Sequence, residues 1–184
     1  MDKIEIASAT MTERTDKSGK ECTIGRFIDE KEGWKVVNAA EGWEGTIYKL
    51  IGAASQKGIA GDCSGSTYFI YKEAGFPYVY QTTSTFIDYA NKTHRFREIK
   101  LAADETPQAG DVLWWSGHMA IYAPFPEGHP KQKFEVPGSK AVNDMYTAFN
   151  SRTGHPYGPF NIKKFRKDPF KVFRYYIISK DDKC

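Results

Sequence analysis

The chain has 184 residues, with 26 Lys and Arg against 23 Asp and Glu, and 15% of it is aromatic. That length suits one domain with decorated ends, and a net charge of +3 is too small for the single-sign field of a dedicated nucleic-acid binder. No window approaches the ~20 apolar residues that a membrane span needs.

In chain order, residues 1–33 are polar and charged and read as an arm, with a short hairpin around Ile24 to Ile28. W-K-V-V at 34–37 opens the domain proper (34–184) as a strand or a helix start. W-E-G-T-I-Y-K-L-I-G-A-A-S at 43–55 predicts a helix, because Ile47, Leu50, Ile51 and Ala54 fall on one face. Q-K-G-I-A-G-D is a glycine-bearing loop, and residues 64–74 predict a second helix capped by Asp62 and stopped by G-F-P at 75–77. T-S-T-F-I-D-Y-A at 83–90 predicts a third, capped by Thr83 or Ser84.

The pattern then turns to strands. V-L-W-W at 112–115 and H-M-A-I-Y-A at 118–123, joined by S-G, predict a hairpin. Q-K-F-E-V at 132–136 reads as the third strand, and V-F-R-Y-Y-I-I at 172–178 closes the sheet. The order predicts an α+β fold, with N-terminal helices packed on a C-terminal antiparallel sheet. Residues 138–171, polar, aromatic and rich in Gly and Pro, read as a lid or a partner's docking surface. K-K-F-R-K at 163–167 reads as a solvated face, with an anionic partner as the alternative.

Three cysteines (Cys22, Cys63, Cys184) are too few and too odd for a disulfide framework, and four scattered histidines offer no metal spacing. Neither metal nor cofactor is expected. Cys22 and Cys184 read as free thiols, a bridge between them being the alternative. Cys63 differs, because G-D-C-S-G puts it at a predicted helix start, where the dipole and unpaired N–H groups favour a thiolate. Small neighbours leave room for a substrate, and Asp62, Ser64, Gly65 and Trp115 are candidates for oxyanion and substrate contacts. His118, opening an apolar strand after Gly117, is the candidate base. His94, His129 and His155 read as surface residues.

D-C-S-G at 62–65 with its helix and G-F-P, followed by A-G-D-V-L-W-W at 109–115 and G-H-M-A-I-Y at 117–122, resembles the NlpC family of cell-wall cysteine peptidases. The resemblance covers roughly half the chain. It implies a papain-like fold, Cys63 as nucleophile, His118 as base, and peptide stems of peptidoglycan as substrate. It also implies a third polar residue on the next strand. Glu135 is the candidate, with His129 or a backbone carbonyl near Pro137 as rivals.

The opening M-D-K-I-E-I-A-S-A-T carries charges where a secretory signal needs an apolar stretch. A compact, leaderless member looks like the amidase effectors of type VI secretion. Those are made in the cytoplasm, act in the periplasm of target bacteria, and are paired with an immunity protein that covers the active site. A phage endolysin and an inactive NlpC-like interaction protein are the alternatives.

Overall fold

A computed structural model describes the backbone of residues 13–15 and 21–23, and residues 25–150 and 152–178 in full. The side chain of Cys22 and all of Cys184 lie outside the described residues, and with them the question of a bridge. The fold is α+β with an antiparallel main sheet, but helices and strands are interspersed along the chain. The expected separation of helices from sheet is therefore corrected. Three strands precede the first helix, two short ones lie between the first and second helices, another lies between the third helix and the hairpin, and a short helix precedes the last strand.

β1 (Glu13–Thr15) and β2 (Glu21–Thr23) form a small antiparallel ladder of their own. β3 (Gly25–Phe27) makes no hairpin with them; it pairs with residues 176–178 of β11 (Lys171–Ile178). Within the stretch read as an arm, Phe27 and Ile28 are buried in the domain. α1 (Glu30–Glu41) starts in the same stretch. Asp29 and Glu32 close a reciprocal capping box, Glu32 N–H donating to Asp29 Oδ1 (2.8 Å) and Asp29 N–H to Glu32 Oε1 (2.9 Å). The helix buries Gly33, Val36, Val37 and Ala40. Gly33 has to lack a side chain, since a Cβ there would stand 1.9 Å from the Ala109 carbonyl oxygen.

Residues 43–55 are not a helix. They carry the two-residue β4 (Ile47–Tyr48), parallel to β5 (Ala60–Gly61), and one 3-10 turn at Gly52–Ala54. The apolar spacing there points outward, with Ile47 58% and Leu50 81% exposed. Long-range bonds hold the backbone in this path. Gly45 N–H donates to the Tyr157 carbonyl, Tyr157 N–H to the Thr46 carbonyl, and Gly52 N–H to Asp62 Oδ2. Gly45 and Gly52 also sit at positive φ (88° and 53°), which no helix interior tolerates.

α2 (Cys63–Glu73) and α3 (Thr83–Thr93) follow the sequence reading closely, except that the cap of the latter is Thr82 and not Thr83 or Ser84. The main sheet runs β10 (Gly158–Phe160), β9 (Met145–Thr147), β8 (His118–Tyr122), β7 (Val112–Trp115), β11, β3, with β6 (Phe96–Ile99) paired to β11 as well. α4 (Ile162–Phe165) links β10 to β11.

One face of the sheet carries Val112, Met119, Ile121 and Phe173 against the three long helices. The other carries Leu113, Trp115, Ala120 and Met145, covered by Ile162, Phe165 and Phe170. The two tryptophans divide accordingly. Trp115 is fully buried on the second face, while Trp114 packs on the helix side with Nε1–H donating to the Thr83 carbonyl.

The third strand is not where Q-K-F-E-V stands. Pro130–Gln132 is a 3-10 turn, and Lys133 makes a single bridge to Val142. Asn143 Nδ2 donates to the Lys131 and Lys133 carbonyls, tying this excursion back on itself. Pro130 and Pro137, with Gly128 and Gly138 at positive φ, deny the segment a continuous ladder. The strand beside β8 is β9, from the stretch read as a lid.

Candidate active site

α2 positions Cys63 through its cap. Asp62 Oδ1 accepts Gly65 N–H (2.8 Å) and Oδ2 accepts Gly52 N–H (2.6 Å), so one buried carboxylate both starts the helix and pins the preceding loop. Ser55 Oγ donates to the Gly52 carbonyl (2.7 Å), and Asp62 N–H donates to Ser55 Oγ (3.3 Å). These bonds occupy Asp62 and Gly65 structurally. Gly65 is small to admit this loop rather than a substrate, since a Cβ would lie 2.1 Å from Ser55 Oγ and 2.2 Å from the Gly52 carbonyl oxygen. Ser64 is buried, its hydroxyl bonded to the Tyr80 hydroxyl (2.9 Å). Trp115 is sealed inside the sheet's second face, where it backs the His118 ring at 5.7 Å between centroids.

The first-turn N–H groups divide in a useful way. Gly65 donates to the Asp62 carboxylate and Ser66 to the Asp62 carbonyl, which leaves those of Cys63 and Ser64 beside the sulfur. With the Met119 N–H they pull the Cys63 thiol toward ionisation. Burial works the other way and wins, pushing the thiol up to about 11, with the negative Asp62 adding to it. Cys63 is a free cysteine, packed on the apolar core yet partly open to a cleft of about 590 Å³.

His118 opens into the same cleft. It stands directly across from Trp115 in the hairpin register, on the sheet face away from α2. Both side chains reach one cleft, without a hydrogen bond between them, because His118 is the first residue of β8, at the sheet's end, where Gly117 turns the chain at φ 80°. Phe165 of α4 lies on the imidazole at 4.7 Å between centroids. His118 Nε2 is 2.7 Å from Thr147 Oγ1 on β9, and that hydroxyl donates its own proton to the Ala148 carbonyl (2.8 Å). Thr147 therefore accepts, Nε2 carries the imidazole proton, and Nδ1 is left unprotonated to act as a base. Burial, aided by the positive Arg166, lowers His118 from 6.5 to about 3.

The resting pair is consequently thiol and neutral imidazole. It predicts a pH effect on stability. As pH falls below about 6.5 the unfolded chain takes up a proton that folded His118 refuses until about 3, so stability is full above that window and is lost within it. The His118→Gln variant should therefore show a flatter acid limb, by a few kcal/mol, in urea midpoints measured across that range. An unchanged limb would assign the acid sensitivity elsewhere.

The hydroxyl that meets the His118 ring is that of Thr147, which the sequence reading did not single out. Glu135 is not brought to His118: it is exposed in the 133–143 excursion and lines a neighbouring cavity of about 550 Å³ together with Pro137. His129 accepts Lys131 N–H and stacks on Phe125. Thr147→Val should leave the buried Nε2–H without a partner, costing about 1–3 kcal/mol of stability. It should also lower any His118-dependent turnover by at least about tenfold, with Thr147→Ser restoring both. A turnover unchanged in the valine variant would remove Thr147 from the positioning role.

Three further features had no sequence signal. Tyr48 lines the cleft beside Cys63, and burial, with the negative Asp62 adding to it, raises its hydroxyl pKa. His155 is exposed, as read from the sequence, and it also lines the cleft and packs against Phe149. The K-K-F-R-K run is no plain solvated face. Its Phe165 covers the His118 ring, and Lys164 and Arg166 line the cleft. Compared with the profiles of known families and with curated protein sequences, the chain matches none.

Proposed function

We propose that the protein is a cysteine amidase that cleaves the peptide stems of bacterial peptidoglycan, built on a papain-like NlpC fold with additional strands. The observation that carries the reading is the opening of the Cys63 thiol and the His118 imidazole into one cleft, the ring held by Thr147 in the tautomer a base requires. The ordered D-C-S-G and G-D…G-H blocks supply the substrate class by resemblance.

In this mechanism His118 Nδ1 takes the thiol proton as Cys63 Sγ attacks the amide carbonyl carbon. The N–H groups of Cys63 and Ser64, with the Tyr48 hydroxyl, receive the charge that develops on the carbonyl oxygen. His118 then passes its proton to the leaving amine as the C–N bond breaks. A water, deprotonated by His118, adds to the thioester; the acid leaves and Sγ recovers its proton. The burial that keeps both groups neutral at rest means the proton moves during attack, not before it.

The resemblance extends the proposal to biology: an antibacterial effector acting in the periplasm of a target cell, with an immunity protein seated over the cleft. The test is chemical. Purified muropeptides incubated with the protein and read by mass spectrometry should yield paired fragments whose masses sum to the substrate plus one water. Intact muropeptides after prolonged incubation would sink the reading.

A further inference from the structure

A second cavity adjoins the cleft that holds Cys63 and His118. It measures about 550 Å³, a size that suits a small molecule. Phe149, His155 and Phe160 line both spaces. An aromatic wall runs from one to the other. Phe134 meets Phe160 at 5.3 Å between centroids, Phe160 meets Phe149 at 5.2 Å, Phe149 meets Phe165 at 6.0 Å, and Phe165 lies on the His118 ring.

The polar side chains of this cavity are mostly acceptors. Asn143 lines it and is only 4% exposed. Its Nδ2 donates to the Lys131 and Lys133 carbonyls (2.9 Å each), and two carbonyl partners fix which end of the carboxamide is nitrogen. Oδ1 accepts no bond from the described residues, so a buried acceptor is left for a ligand's donor. Glu44 and Glu135 also line the cavity, and among the described residues no Lys or Arg does. Glu44 is already matched from outside the lining. Its Oε1 accepts Lys131 Nζ (2.8 Å) and its Oε2 accepts the Tyr146 hydroxyl (2.6 Å).

An anion is unsuited to such a space, and much of the negative charge that would call for a cation is already met. A neutral ligand with N–H and O–H donors on an apolar ring fits best. Aromatic faces carry the negative side of the ring quadrupole and pack on the C–H face of a pyranose. A single fixed carboxamide oxygen suits an acetamido N–H.

We propose that this cavity binds an N-acetylated sugar, the ring packed on Phe134 and Phe160 and the acetamido N–H donating to Asn143 Oδ1. In a peptidoglycan amidase it would hold the glycan to which the stem is attached. That role rests on the amidase reading; the sugar site does not.

Calorimetry on the full-length Cys63→Ala protein tests the site with two neutral trisaccharides, N-acetylchitotriose and cellotriose, which differ in acetamido groups against hydroxyls. The first should bind at least about tenfold more tightly. Phe134→Ala should weaken it by about 3–10-fold, and Phe134→Leu, which keeps more of the local packing, gives the same reading if alanine lowers Tm. Turnover then separates the two ideas. The unmodified protein should cut a disaccharide-linked stem peptide with a kcat/KM about tenfold above that of the free stem peptide, most of it in KM, and Phe134→Ala should bring the ratio toward one. Equal kcat/KM on the two substrates overturns the glycan role. Preferential binding of N-acetylchitotriose with neither substrate cut sinks the amidase reading and leaves the sugar site standing. Equal binding of the two trisaccharides, binding unaltered by the Phe134 variants, or a free stem peptide displacing the sugar overturns the site whatever is cut.

Discussion

Replacing Cys63 by alanine should lower muropeptide hydrolysis by about 10⁴-fold or more, the size of loss expected when a covalent nucleophile is removed. It should barely change stability. The Cys63 side chain is small and half-buried, so the unfolding free energy from urea titration should change by less than about 1 kcal/mol. The same sulfur gives a second readout. With its pKa pushed up to about 11, only a small fraction is thiolate at neutral pH, so alkylation of Cys63 by iodoacetamide should climb about tenfold per pH unit from 7 to 10. A rate already at plateau near neutrality would mean a preformed thiolate–imidazolium pair and would overturn the neutral resting state. Hydrolysis that survives in the alanine variant would overturn the nucleophile itself.

The largest expected loss of stability lies away from the cleft. Asp111, which ends the A-G-D stretch and enters β7, is completely buried and meets Arg174 of β11 through two bonds of 2.9 Å, Nε to Oδ1 and Nη2 to Oδ2. Gln108 N–H also donates to Oδ2 (2.8 Å), and Arg174 Nη2 reaches the Thr106 carbonyl (3.0 Å). Removing one partner strands the other's charge in the core. Arg174→Met should therefore cost about 3–5 kcal/mol, lowering Tm by roughly 6–20 °C for a chain of this size. Combining it with Asp111→Leu should recover much of that loss, because no charge is then left buried. A single variant that melts within about 2 °C of the parent would show that the pair is not holding β7 to β11.

The parts of this molecule that could be read in advance are those decided within a few residues. Asp62 before an apolar stripe predicts the α2 start, and its cap bond to Gly65 bears that out. V-L-W-W, S-G and H-M-A-I-Y predict the hairpin, which pairs Trp115 with His118 as alternation requires. Residues 43–55 show the opposite case. Their helical spacing is outweighed by bonds to Tyr157 and Asp62, neither visible from the segment itself. Thr147 was illegible for a similar reason. Nothing in M-Y-T marks a threonine 29 residues beyond a histidine as its partner, and the β-like run at 132–136 lay nearer. The role of α4 was hidden too, because a basic run with one phenylalanine looks like surface until its ring is found on the imidazole.

The last strand has a consequence for how the cell makes this protein. β11 pairs with β3, β6 and β7 and brings Arg174 to Asp111, so the sheet cannot close while residues 171–178 are still inside the ribosome. A nascent chain holds Cys63 and His118 long before it holds the framework that aligns them.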